Sequence, residues 1–238
     1  MKALILAAGL GKRLGLDDIP KPMYEIDGKP ILEHNILLLK KYGILDICIT
    51  LHYKGDVIKN YFKDGSKWGV NINYSFENEL LGTSGALKNV GSFFNDEKSF
   101  FVIYGDNYTS INLDEILTVH KKTKPIATIA MFDPQKSLNS GIAGGVIKID
   151  EENNILCFIE GKGNGLNGYV NAGIYILEHE ILSKIPDKFP SDFGKDIFPK
   201  LLNEGYKLKS YLTDSFVLAI DTQEALKKAE EALKKQRA

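Results

Sequence analysis

The chain has 238 residues, 44% of them hydrophobic, and its 30 Lys and Arg nearly balance 31 Asp and Glu for a net charge of −1. That length can bury a sizeable core, while the absence of a basic stripe argues against a nucleic-acid partner. No apolar run reaches the length of a membrane span and the start carries no signal-peptide pattern, so the expectation is a cytoplasmic protein without a membrane partner.

In chain order, apolar runs bounded by Gly, Asp or Pro alternate with helix-periodic segments. Runs 3–7, 45–51, 70–75, 99–104 and 126–132 read as strands. Between them 30–42, 56–63, 83–91 and 112–122 read as helices, with Pro30 at the first helical position and Thr83 as an N-cap. Strand and helix alternating in this way predict a doubly wound parallel sheet. After Pro134 the texture changes to three consecutive strands, 144–149, 155–160 and 169–177, expected as a small, partly antiparallel extension laid over that sheet. Helices near 179–184 and 194–203, strands near 206–212 and 216–220, and a last helix from Thr222 complete the reading. Cys48 and Cys157 stand in apolar runs and read as buried, reduced thiols. One domain, 1–238, is expected, with halves at 1–133 and 134–238.

The first strand leaves through Leu6-Ala7-Ala8-Gly9-Leu10-Gly11-Lys12-Arg13-Leu14, followed by Pro20-Lys21-Pro22-Met23. Glycines there let a backbone pass close to a ligand, and the cations suggest that the ligand is anionic. A dinucleotide fingerprint fails because Leu14 stands where a small residue is needed. A P-loop fails twice, at Leu6 and at Arg13. A plain strand-to-helix turn explains one glycine but neither the second nor the cations.

The same stretch resembles the opening of the sugar-1-phosphate nucleotidylyltransferases, with Lys12 in place of their small hydroxyl residue. A nucleoside triphosphate and a sugar phosphate together bring roughly six negative charges into one cleft, which suits this residue set. The resemblance continues in Glu79-Leu80-Leu81-Gly82-Thr83-Ser84-Gly85-Ala86-Leu87, similar to the family's nucleobase loop and closest in wording to mannose- and heptose-1-phosphate guanylyltransferases. In Val102-Ile103-Tyr104-Gly105-Asp106 an apolar strand ends in Gly-Asp, so Asp106 projects from the carboxyl edge of the sheet, where open α/β folds bind ligands. Phe158-Ile159-Glu160 with Lys162, interrupted by Gly161, and Val170-Asn171-Ala172-Gly173-Ile174-Tyr175 look like the family's sugar-phosphate strands. Asp192 to Pro199 resembles a family helix and reads as fold rather than chemistry. Near the end, Ala219 stands where many members carry a second metal-binding Asp, and Asp221 is the alternative ligand.

The resemblance implies a Rossmann-like doubly wound α/β fold with a small sugar-binding lobe. It implies Mg²⁺-dependent nucleotidyl transfer from an NTP, by wording GTP, to a mannose- or heptose-type sugar 1-phosphate. The products are an NDP-sugar for polysaccharide biosynthesis and pyrophosphate. Arg13 and Lys21 would be catalytic. Leu6, Ala8, Gly9, Gly11, Lys12, Glu79, Gly82, Thr83 and Asp106 would hold the nucleotide. Gly145, Glu160, Lys162 and Asn171 would hold the sugar phosphate, and Asp106 with Asp221 the metal. No nucleophile is needed, because a phosphate monoester already is one. Self-association follows by family analogy alone. Two alternatives stay open: a cytidylyl- or uridylyltransferase acting on another phosphorylated small molecule, which the Ile-Asp-Thr ending favours, and a non-catalytic nucleotide-sugar-binding regulator, which Lys12, Gly161 and Ala219 favour.

Overall fold

The computed structural model describes residues 1–10, 19–139, 146–159, 168–220 and 223–237. The first half supplies β1 (Ala3–Leu6), a 3-10 turn (Lys21–Met23), the short pair β2 (Glu25–Ile26) and β3 (Lys29–Pro30), α1 (Ile31–Lys41), β4 (Asp46–Leu51), α2 (Gly55–Phe62) and β5 (Asn71–Phe76). It continues with α3 (Thr83–Asn89), β6 (Ser99–Tyr104), β7 (Asn107–Thr109), α4 (Leu113–Thr123) and β8 (Ala127–Phe132). Then come β9 (Val146–Ile149), β10 (Ile155–Ile159), β11 (Tyr169–Glu178), α5 (Phe198–Asn203), β12 (Leu208–Leu212), β13 (Val217–Ala219) and α6 (Gln223–Arg237).

β5, β4, β1 and β6 lie side by side and parallel in a nine-stranded sheet. The chain therefore runs outward from β1 through β4 to β5, then returns to the far side of β1 as β6. That reversal is the switch point at which open α/β sheets bind ligands, at the carboxyl ends of the strands. The α/β class and its mostly parallel centre match the expectation. One placement differs. The second-half strands do not lie over the sheet but extend it: β11 runs antiparallel between β6 and β8, and β9 and β10 pair onward from its start. Nothing local in a ten-residue apolar strand buried on both faces fixes which neighbours it takes.

Alternation along β1 shows how the two layers form. Ala3 and Ile5 pack with Leu32, Ile36, Ile58 and Phe62 on one face, while Leu4 packs with Leu87, Phe193 and Phe198 on the other. Both faces are covered, as a doubly wound sheet requires. Pro30 stands just before α1 in an extended conformation (φ −54°, ψ 142°) rather than inside it. Thr83 is the first residue of α3, not its cap, and Gly82 precedes it at φ +77°. Cys48 is buried, and burial pushes its thiol up to about 12; Cys157 is only half-buried. Among the described residues, no helix is long and apolar enough to cross a membrane.

Candidate active site

Three strand ends, those of β1, β4 and β6, build one wall of a cleft of about 270 Å³. β1 opens into Ala7, Ala8 and Gly9, and the Ala7 amide is held by the Thr50 hydroxyl at the end of β4 (3.3 Å). A Cβ on Gly9 would meet nothing within 4 Å. The glycine is therefore not demanded by crowding among the described residues, and it lines the cleft. β6 ends in Gly105, whose amide bonds the Leu6 carbonyl (2.9 Å) and where a Cβ would crowd that same oxygen. This close turn sets Asp106 directly above the switch point.

Lys21 arrives from the opposite side. Prolines 20 and 22 fix the local backbone, and the 3-10 turn closes through Met23 N–H to the Pro20 carbonyl (2.8 Å). The lysine is 7% exposed, and its Nζ donates to Asp106 Oδ2 at 2.8 Å. A buried ammonium is tolerated only with such a partner. The cleft thus holds a positioned cation beside a carboxylate at the carboxyl edge of a parallel sheet. Such a pair can neutralise charge developing on a transferring phosphoryl group and orient a divalent cation.

The far wall is the loop before α3 and the segment before α5. Gly82, Thr83 and Leu80 line the cleft, as do Glu77 and Asp192. A Cβ on Gly82 would overlap the Ser191 carbonyl. The Ser84 and Gly85 amides both donate to that carbonyl (3.1 and 3.2 Å). Asp192 caps its own turn by accepting from Gly194 N–H (2.9 Å) and accepts the Thr83 hydroxyl with its other oxygen (2.9 Å).

Leu6, Ala8, Gly9, Lys21, Gly82, Thr83 and Asp106 therefore come together in one cleft. Glu79 is exposed and outside its lining. Asn171 lies on β11, where its amide nitrogen donates to the Tyr175 hydroxyl (2.6 Å) and its oxygen accepts Gly173 N–H (2.9 Å), holding a bulge at φ +70°. Gly11, Lys12, Arg13, Gly145, Glu160, Lys162 and Asp221 lie outside the described residues. Ala219 pairs with Asn107 on β7, and the Ile220 amide donates to the Asp106 carbonyl (3.2 Å). The last described residue before Asp221 is thus tied to Asp106. Sequence reasoning missed Thr50, Glu77 and Asp192; the alternation of β5, with Ile72 inward, gave no signal for Glu77.

The model of the nucleotidyl transferase family matches residues 2–235. The chain is 36% identical over 211 residues to the D-glycero-alpha-D-manno-heptose 1-phosphate guanylyltransferase of Campylobacter jejuni, covering 87% of each. It is also 36% identical over 221 residues to the UTP–glucose-1-phosphate uridylyltransferase of Synechocystis, covering 86% of this chain but only 56% of that protein. A solved structure of HddC from Yersinia pseudotuberculosis complexed with GMP-PN superposes with a TM-score of 0.80 at 30% identity, over 98% of this chain and 99% of that one. The chain belongs to the nucleotidyl transferase family, among its sugar-1-phosphate nucleotidylyltransferases. The relatives differ in base and sugar.

Proposed function

We propose that the chain transfers the guanylyl group of GTP to a sugar 1-phosphate of the manno type, mannose 1-phosphate or a heptose 1-phosphate. An oxygen of the sugar phosphate forms a bond to the α-phosphorus in line. The bond from that phosphorus to the β-phosphate oxygen breaks, and pyrophosphate leaves. The observation that carries this reading is the buried Lys21 held 2.8 Å from Asp106 in the cleft that Gly9 also lines. GTP draws its support from the guanylyltransferase among the relatives and from the nucleotide in the Yersinia structure.

In this account Lys21 neutralises the α-phosphate as charge builds in the transition state, and Arg13 stabilises the leaving pyrophosphate. The backbone around Ala8, Gly9 and Gly11 lines the triphosphate, with Lys12 beside it. Asp106 fits Mg²⁺: it is a hard oxygen donor, partly exposed to the cleft, with Lys21 on one oxygen. Asp221 would add a second carboxylate. When bound, Mg²⁺ would supply Lewis-acid stabilisation of the charge that develops in the transfer. Among the described residues no cluster of three His, Cys, Asp or Glu side chains forms, and Asp106 would be the described residue that holds the ion. The 1–133 half serves the nucleotide and the 134–238 half the sugar phosphate, through Gly145, Glu160, Lys162 and Asn171. Supply of activated sugar for a surface glycan, in the cytoplasm, completes the proposal.

UTP with a glucose-type phosphate is the second reading, favoured by the Synechocystis relative. The deciding experiment is pyrophosphate release with Mg²⁺ and each of GTP, UTP, CTP, ATP and dTTP, against mannose, heptose and glucose 1-phosphates. Release with GTP and a manno-type phosphate is expected. Release with UTP and glucose 1-phosphate instead would replace the proposal.

A further inference from the structure

Lys21 and Asp106 are 85 residues apart and meet through a hydrogen bond of 2.8 Å. Asp106 is fixed by the backbone on either side of it: the Gly105 amide bonds the Leu6 carbonyl, and β7 pairs with β13. Lys21 has no such anchor. It lies in the 3-10 turn that leads into the β2–β3 hairpin, a two-stranded sheet of its own. Among the described residues no backbone ladder ties that hairpin to the nine-stranded sheet or to β7. Side chains must therefore set where Lys21 stands, and a misplacement of about 1 Å can cost on the order of 100-fold in rate.

His34 spans that gap. It is half-buried on α1, and its Nε2 donates to the Ile26 carbonyl of β2 at 2.7 Å. A carbonyl only accepts, so the bond places a proton on Nε2. The same ring packs on Tyr108 of β7, with centroids 4.5 Å apart and planes tilted by 43°, and Tyr108 packs in turn on Phe216 at 5.0 Å. One imidazole thus touches both the hairpin that follows Lys21 and the strand that follows Asp106. Tyr108 also lies against a small core, separate from the two that cover the sheet, in which Tyr24 and Ile26 pack with Leu218 and Ile220. Tyr24 closes the Lys21 turn: its amide donates to the Lys21 carbonyl (3.1 Å), and its own carbonyl accepts the Ile31 amide at the start of α1 (2.8 Å).

We propose that His34 is a positioning residue for the transfer: by holding the β2–β3 hairpin against β7, it keeps the Lys21 ammonium on Asp106, where the chemistry needs it. This rests on the reading of Lys21 as the group that acts on the transferring phosphate, and it is independent of the base and the sugar. His34 does not line the cleft, so it acts through Lys21 rather than on a substrate. The task suits an imidazole, which joins a directional N–H donor to a flat face that stacks on an aromatic ring. Phenylalanine keeps the face without the donor, glutamine keeps a donor without the face, and alanine keeps neither.

The first arm of the test reads Lys21 without any substrate, by amine acylation of the full chain and mass spectrometry, with exposed Lys63 as the internal standard. Lys21 is 7% exposed and should label slowly in wild type. In His34→Ala it should label about fivefold or more faster relative to Lys63. His120→Leu breaks buried bonds to Thr128 and Glu178; it controls for general destabilisation and should keep the wild-type ratio. The second arm is pyrophosphate release from GTP and the manno-type phosphates, in a double-mutant cycle with Lys21→Met. His34→Ala should lower turnover by about 10-fold or more in the wild-type chain, with the Kd of Mg²⁺–GTP within about threefold. In the Lys21→Met chain the same substitution should cost less than about twofold, because its effect passes through the absent ammonium. If His34→Ala does not fold, His34→Gln is read in the same way. Unchanged labelling of Lys21, or equal losses of turnover in the two chains, overturns the role of His34 and leaves the transfer reading standing. Faster labelling with full turnover in both His34→Ala and Lys21→Met removes Lys21 from the chemistry, and the role of His34 falls with it. A wild type silent with GTP and the manno-type phosphates overturns the substrate reading alone, and the labelling ratio then decides for or against His34.

Discussion

The Thr83 hydroxyl joins two segments 109 residues apart: it donates to Asp192 Oδ2 at 2.9 Å and accepts the Phe193 amide at 2.9 Å. Both Thr83 and Asp192 line the cleft. The loop expected to face the base is therefore fastened to the second half of the chain. Replacing Thr83 by Val keeps the shape and removes both bonds, leaving the amide and one carboxylate oxygen to find other partners. Thr83→Val should lower the unfolding free energy by about 1–3 kcal/mol and raise the KM for nucleotide. Denaturant titration and initial rates read the two effects separately.

Gly82 permits that fastening. Its φ of +77° is a conformation that side chains rarely adopt, and a Cβ there would overlap the Ser191 carbonyl that receives the Ser84 and Gly85 amides. Gly82→Ala is expected to cost about 2–4 kcal/mol through strain and displaced contacts. Gly43 is also at positive φ, but a Cβ there meets nothing within 4 Å. Gly43→Ala should therefore cost less, and a comparison of melting temperatures checks the difference.

Lys21→Met keeps most of the buried stem and removes the charge. If Lys21 acts on the transition state, turnover should fall by about 100-fold or more, on the order of 3 kcal/mol. The midpoint of thermal unfolding should shift far less than the activity does. Unchanged turnover would remove Lys21 from the chemistry and leave it a structural partner of Asp106.

Glu77 gives a pH signature in the ligand-free protein. Its folded-state carboxyl titrates above the ordinary value of 4.5 because burial disfavours the charge. Its contribution to stability is therefore fully present below that value and is lost as pH rises through the folded-state value. Glu77→Gln cannot titrate. The stability of wild type relative to Glu77→Gln should fall as pH rises from about 4 to about 7. Urea unfolding of both proteins across that range measures it, and a relative stability that rises with pH would contradict the assignment.

Local features were legible in the sequence because local rules make them. Gly105-Asp106 at a strand end and Lys21 between two prolines need only the chain on either side, and both meet in the cleft. The choice between Glu77 and Glu79 was not legible from motif spacing. It depends on where β5 stops pairing, and the ladder continues one residue past Phe76 through the Glu77 amide to Leu51. Alternation would put Glu77 and Glu79 on one face; Glu77 is buried because the ladder still holds its backbone, and Glu79, past the ladder's end, is exposed. Asp192 was read as part of a structural helix because its partner Thr83 is distant in sequence. The insertion of β11 between β6 and β8 was illegible for a similar reason, since a strand buried on both faces carries no record of its neighbours.

The central claim is that a sugar phosphate attacks the α-phosphorus of GTP. The most direct test supplies GTP labelled at the α-phosphorus and a manno-type sugar 1-phosphate whose phosphate oxygens are isotopically heavy, then reads the products by mass spectrometry. The account predicts a GDP-sugar that contains the α-label and every heavy oxygen, with unlabelled pyrophosphate. Release of labelled GMP without sugar nucleotide, or heavy oxygen in the pyrophosphate, would contradict it.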